Sequence, residues 1–214
     1  MSVFYKDKDM FCIEKQKKIM KFKHLTVNGT NIEHFSSYIN LTSEKIENLM
    51  FAIKEKNHSE TINSILNISM LVCGSMITVE HYRFELELLE KNNHFEKIYD
   101  LAINKPKYLI DANKILNILK NKDYFNKCSD LISKLTQIVF LAAKLDIDLN
   151  LAINNLNDNL LTKMIDSDNN VIVKYRHDDK ILKPDNFILF DPTYILKNKK
   201  TVEALDDFFK LFDK

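Results

Sequence analysis

Two apolar stripes at helical spacing lie between Asp130 and Met164, and any fold of this chain has to bury both. Leu131, Leu135, Ile138, Ala142 and Leu145 recur at alternating four- and three-residue steps. Ile132, Val139 and Ala143 widen that stripe toward a fully buried helix face. Asp146, Ile147 and Asp148 break it, and Asp148 is placed to cap a second helix with Leu149, Ile153, Leu156, Leu160 and Met164 on its inner side. Asn150, Asn154, Asn155, Asp158 and Asn159 fall mostly off that stripe. Residues 166–170, all Asp, Ser or Asn, are turn chemistry, because these side chains bond nearby backbone and tolerate left-handed conformations. Residues 171–175 and 180–183 then predict a small β-hairpin across 176–179, ended by Pro184.

Upstream, the pattern predicts more helices packed on this pair. Residues 1–30 are the least patterned. Asn28-Gly29 is a turn signal that predicts a hairpin between 22–27 and the residues after the turn. Ile32, Phe35 and Ile39 suit a short helix. A long helix is expected to start after Thr42 and Ser43, with Glu44 and Glu47 in its first turns and Ile46, Leu49, Met50 and Ile53 inward. Asn57 to Ser59 interrupts it before a helix carrying Ile62, Ile65, Leu66, Val72 and Met76. Thr78 is placed to cap the next, with Val79, Tyr82, Leu86 and Leu89 inward and Glu80, Arg83, Glu87 and Glu90 outward. Phe95, Ile98, Leu101 and Ala102 mark a short helix before Pro106, and Ala112, Ile115, Leu116 and Leu119 mark another. The last stretch, 201–212, has Val202, Leu205, Phe208, Phe209 and Phe212 on one side, a helix to be docked on its own domain or on a protein partner, including a second copy. Segments 1–41, 42–104, 105–196 and 197–214 emerge as units of one domain. The pattern around 46–72 recurs around 112–138 at a constant offset of 66 residues. It reads either as an internal duplication or as the chance likeness of two amphipathic hairpins.

Composition narrows the class. Two glycines and three prolines in 214 residues disfavour turn-rich barrels and sandwiches and favour helices joined by Asn, Asp and Ser. Lys plus Arg is 31 against 30 for Asp plus Glu, so the whole chain has no basic field of the kind that binds nucleic acid by phosphate neutralisation. Cys12, Cys73 and Cys128 form no CxxC pair and leave an odd thiol, which fits a reducing compartment. With no signal-peptide core and no membrane-length apolar run, the expected location is cytoplasmic, away from membranes.

The order of features after residue 130 resembles a known family. Leu145-Asp146-Ile147-Asp148, a helix ending Asn159-Leu-Leu-Thr-Lys163, an Asp/Asn turn, a strand, Asp179-Lys-Ile-Leu-Lys183-Pro184 and Phe190-Asp-Pro192 are similar to the C-terminal part of MazG-type and phosphoribosyl-ATP pyrophosphohydrolase-like all-α proteins, the phage versions above all. The family's turn glycine and the glycine of its Lys-Gly-Pro are missing. The resemblance implies an all-α helical bundle of the nucleoside triphosphate pyrophosphohydrolase type, here with a C-terminal hairpin. In such proteins a Glu-Glu-x-x-Glu helix and a Glu-x-x-Asp helix aim carboxylates at magnesium, which assists water attack on a nucleotide phosphoanhydride.

Carried onto this sequence, the second copy places Ile110, Asp111 and Lys114 at the first motif and Asp130 and Ser133 at the second. The first copy places Glu44, Lys45 and Asn48, then Ser64 and Asn67, with Glu47 available after a one-residue shift. The resemblance therefore implies Asp111 and Asp130 as catalytic candidates, and Glu44, Glu47, Asp111 and Asp130 as the remaining magnesium ligands. Asn159, Lys163 and Lys183 are its candidate nucleotide contacts. Lysines 45 and 114 stand where the family has carboxylates, and an ammonium there repels a cation. A second acidic set, Glu80, Glu87 and Glu90 with Glu96 and Asp100, lies on neighbouring helices. Two functions are compatible with these residues: a degenerate relative that binds a nucleotide or a protein with little or no catalysis, and an active magnesium-dependent pyrophosphohydrolase.

Overall fold

Helix α3, His58–Ile77, holds the fold together, because it buries thirteen of its twenty residues and six other helices pack on it. The computed structural model describes residues 10–23, 25, 27–104, 117, 119, 121, 127–164 and 190–213. Around α3 pack α1 (Ile13–Phe22), α2 (Ile32–Lys54), α4 (Glu80–Lys91), α6 (Cys128–Lys144), α7 (Leu149–Leu161) and the single turn α8 (Thr193–Leu196). Helix α5 (His94–Asn104) packs chiefly on α6, and α9 (Lys199–Lys210) follows α8. One apolar core draws on all of them, from Phe11 and Phe95 through Ile65, Leu135 and Ile153 to Leu205 and Phe208.

The all-α bundle is as expected, but the strand component of the expected fold is corrected. No strand occurs among the described residues. The expected C-terminal hairpin falls on 171–183, which lie outside the described residues. A two-stranded hairpin is marginal by itself, and the described bundle offers no sheet edge for it to extend. The hairpin expected around Asn28-Gly29 is also corrected. Gly29 does turn the chain, at φ 77, but it leads into α2, whose N-cap Asn31 accepts the His34 N–H at 2.9 Å.

Local signals explain most helix boundaries. Asn57 caps α3 by accepting from Glu60 N, and Asp148 caps α7 by accepting from Leu151 N. Helix α2 passes without interruption through Thr42 and Ser43, where the sequence places a start. Their hydroxyls turn back onto the helix instead, Thr42 Oγ1 donating to Tyr38 O and Ser43 Oγ to Ile39 O. Thr78 does not cap α4 either, since its hydroxyl donates to Ser75 O. The first N–H of α4, that of Glu80, is accepted at 3.2 Å by Thr30 Oγ1 from a distant loop.

Helices α2 and α3 approach closely at Gly74. A Cβ on Gly74 would sit 2.4 Å from Tyr38 Cε1, so only glycine allows the ring to lie there. The terminal helix α9 docks on its own chain. Phe208 and Phe209 are buried, His58 meets both Phe209 and Asp206, and Thr201 Oγ1 donates to Asp146 O. The two helices matched at the 66-residue offset, α3 and α6, are both core helices, but the first helix of the second copy falls largely outside the described residues. Helix α3 is long and apolar enough to cross a membrane by length and composition, contrary to the reading of the sequence. In this fold 72% of that apolar window is buried inside the bundle.

Candidate functional site

At helix α4, Val79 and Leu86 are buried and Tyr82 and Leu89 pack on the core as expected, but two charged residues do not face as expected. Arg83 and Glu90, expected outside, are 7% and 6% exposed, whereas Phe84 and Leu88 are 57% and 52% exposed. The reason is that distant backbone groups satisfy the buried charges. Arg83 Nη1 donates to Val27 O at 2.5 Å. Glu90 accepts the Met10 N–H on Oε2 at 3.1 Å and the Phe11 N–H on Oε1 at 3.2 Å, so it holds the chain where α1 begins. Glu87 pairs with Lys17, which also reaches Glu14 at 2.7 Å. Burial pushes the Lys17 ammonium down while both carboxylates pull it up, and the net direction is upward.

Of the residues nominated by the resemblance, Glu44, Glu47, Asp130, Asn159 and Lys163 lie among the described ones. Glu44 and Glu47 are exposed on α2, and Glu44 lies 3.3 Å from Lys45. Asp130 is half-buried in the first turn of α6. Among the described residues no three His, Cys, Asp or Glu side chains form a metal-holding group. Glu44, Glu47 and Asp130 therefore do not assemble a three-carboxylate magnesium site. Asp111 and Lys183 lie outside the described residues. Asn159, in the last turn of α7, and Lys163, in the turn after it, are both half-buried, and between them Thr162 Oγ1 donates to Asn159 O at 2.6 Å. In the second acidic set, Glu87 and Glu90 carry the structural contacts above, and Glu80 lies 3.7 Å from Arg83.

Sequence reasoning passed over Lys134. It sits among the stripe residues of α6, is fully buried, and donates from Nζ to Leu119 O at 2.8 Å and to Asn121 O at 3.3 Å. Burial pushes its ammonium down to about 8, with Asp130 opposing that shift. Between about pH 8 and 10.5 the unfolded chain then binds more protons at this residue than the folded one does, so its contribution makes stability rise with pH across that window. Urea unfolding of the wild type and of Lys134→Met should show their stability difference moving in favour of the wild type by about 3 kcal/mol between those pH values. A difference that stays flat with pH would mean the ammonium is not desolvated.

Asn157 is a second residue without a sequence signal. It is fully buried on α7, and among the described residues neither its amide nitrogen nor its amide oxygen has a hydrogen-bond partner. Asn157→Leu is expected to stabilise the fold by about 1–2 kcal/mol, because it removes two unsatisfied polar atoms from an apolar setting. A loss of stability in thermal unfolding would contradict this.

Comparisons of the chain with family models, with curated proteins and with solved structures yield no match.

Proposed function

We propose that this chain is a recognition protein on the helical scaffold of the MazG-type pyrophosphohydrolases, one that binds a nucleotide without hydrolysing it. The observation that supports this reading is the employment of its carboxylates. A magnesium triphosphate site needs several acids free to approach one point. Here Glu90 caps backbone N–H groups and Glu87 pairs with Lys17, while Lys45 stands beside Glu44 in the helix turn where the family carries further acids. Asn159 in the last turn of α7 and Lys163 in the turn after it are the residues proposed to meet the phosphates, with Lys183 as a third.

Thermal unfolding with a panel of ribo- and deoxyribonucleoside triphosphates tests the binding half. Stabilisation by at least one triphosphate, reduced in Lys163→Glu, is the expected result. A shift that survives Lys163→Glu would place the phosphates elsewhere.

A further inference from the structure

We infer that Lys23, at the end of α1, is a further phosphate-binding residue of this chain, so that the phosphates of a nucleotide are held between the ends of α1 and α7. The inference rests on the nucleotide reading above and adds to it a residue from a second helix.

The register of α1 against α7 places Lys23. The two helices run side by side in the same direction. Lys15 meets Asn154 and Asp158, and one turn further on Ile19 packs with Leu161 and Met164, with Phe22 against them. Lys23 follows Ile19 by four residues, and residues four apart share a helix face. It therefore lies on the side of α1 that meets α7, at the end where the turn with Lys163 and Met164 follows α7.

Charge changes along this seam. Near the start of α1 the lysines have their acids: Lys15 lies 2.6 Å from Asp158, and Lys17 pairs with Glu14 and Glu87. Toward the end, residues 18–23 and 159–164 hold four lysines and no Asp or Glu. A lysine at a helix end commonly donates to the last carbonyls. Among the described residues the Lys23 ammonium has neither a hydrogen bond nor an ion pair, and only its backbone N–H bonds Ile19 O and Met20 O. Lys23 is nevertheless half-buried, and burial pushes its ammonium below the ordinary lysine range with no carboxylate opposing the shift. A cation drawn out of water without a counter-charge is costly, and an anion that supplies the charge turns that cost into a strong contact. Lys18, whose Nζ lies 5.8 Å from the Phe22 ring centre, and Lys21 strengthen the same field. A phosphate chain presents several anionic oxygens, enough for lysines from both helices.

Isothermal titration calorimetry of the full chain with inorganic tripolyphosphate at low ionic strength tests this. Wild type is expected to bind. Lys23→Met should weaken binding at least about tenfold, while the ligand-free protein unfolds at the same temperature or higher because no internal partner is lost. Lys23→Arg should keep most of the affinity, and Lys54→Met, exposed on α2, should change it less than about twofold. A wild type that does not bind tripolyphosphate overturns the inference, and nucleotide-dependent thermal shifts would then leave the nucleotide reading standing. Affinity that Lys23→Met leaves unchanged overturns it too, and a loss confined to Lys163→Glu would keep the phosphates on α7 alone. Loss in Lys23→Met but not in Lys163→Glu supports Lys23 and removes Lys163 from the site. A ligand-free Lys23→Met that unfolds at a lower temperature overturns the inference, because Lys23 would then be a structural residue.

Discussion

Glu90→Ala is expected to cost the fold about 3 kcal/mol, among the larger effects a single substitution here should produce. Two consequences add. The Met10 and Phe11 N–H groups lose the carboxylate that accepts both of them, and a buried space opens beside Phe11 and Phe95, whose ring centres are 4.9 Å apart. Glu90→Gln keeps one oxygen acceptor and should lose about half as much. Urea unfolding measures both. If alanine costs under about 1 kcal/mol, the carboxylate is not what holds the start of α1. Because α1 covers α3 and α7, proteolysis near residue 10 should also accelerate in Glu90→Ala.

The second large effect is expected at Gly74. Alanine gains about 1 kcal/mol of helix propensity over glycine, yet its Cβ would lie 2.4 Å from the Tyr38 ring. Moving the ring or the helix should cost about 3 kcal/mol, leaving Gly74→Ala destabilised by about 2 kcal/mol and Gly74→Leu by more. Tyr38 itself identifies the cause. In a Tyr38→Leu background the penalty of Gly74→Ala should shrink to near zero, a coupling that a double-mutant cycle resolves. An unchanged penalty would place the clash elsewhere. Burial also pushes the Tyr38 hydroxyl up to about 12, so its absorbance titration should fall toward the ordinary tyrosine range if Gly74→Ala expels the ring.

Where structure follows from local signals, the sequence could be read directly. The stripe of α6, the first part of that of α7 (Leu149, Ile153 and Leu156) and the Asp148 cap involve residues within a few positions of each other and are found as expected, whereas Leu160 is half-buried and Met164 lies past the end of α7. Thr42 and Ser43 misled because a hydroxyl that caps a helix start can equally bond the carbonyl four residues back, and only the preceding apolar residues of α2 distinguish the two cases. The apolar face of α4 could be read, but the inward turn of Arg83 and Glu90 could not, since they meet Val27, Met10 and Phe11, partners 56 to 80 residues away. Lys134 was hidden for the same reason, a cation within an apolar stripe whose acceptors belong to another segment. Of the candidate site, Asn159 lies in the last turn of α7, a helix readable from the sequence, and Lys163 falls in the turn that follows it. Convergence of Glu44, Glu47 and Asp130 required long-range geometry, and these three carboxylates do not form a metal-holding group.

The most direct test of recognition without catalysis is pyrophosphate release from the triphosphate panel, with magnesium or manganese, run beside thermal unfolding with the same ligands. Stabilisation by a nucleotide with no pyrophosphate released is the result this account predicts. Metal-dependent release that stops on chelation would contradict it, and Asp130→Ala would then show whether Asp130 belongs to the active centre. An unfolding temperature unmoved by every nucleotide would contradict it equally.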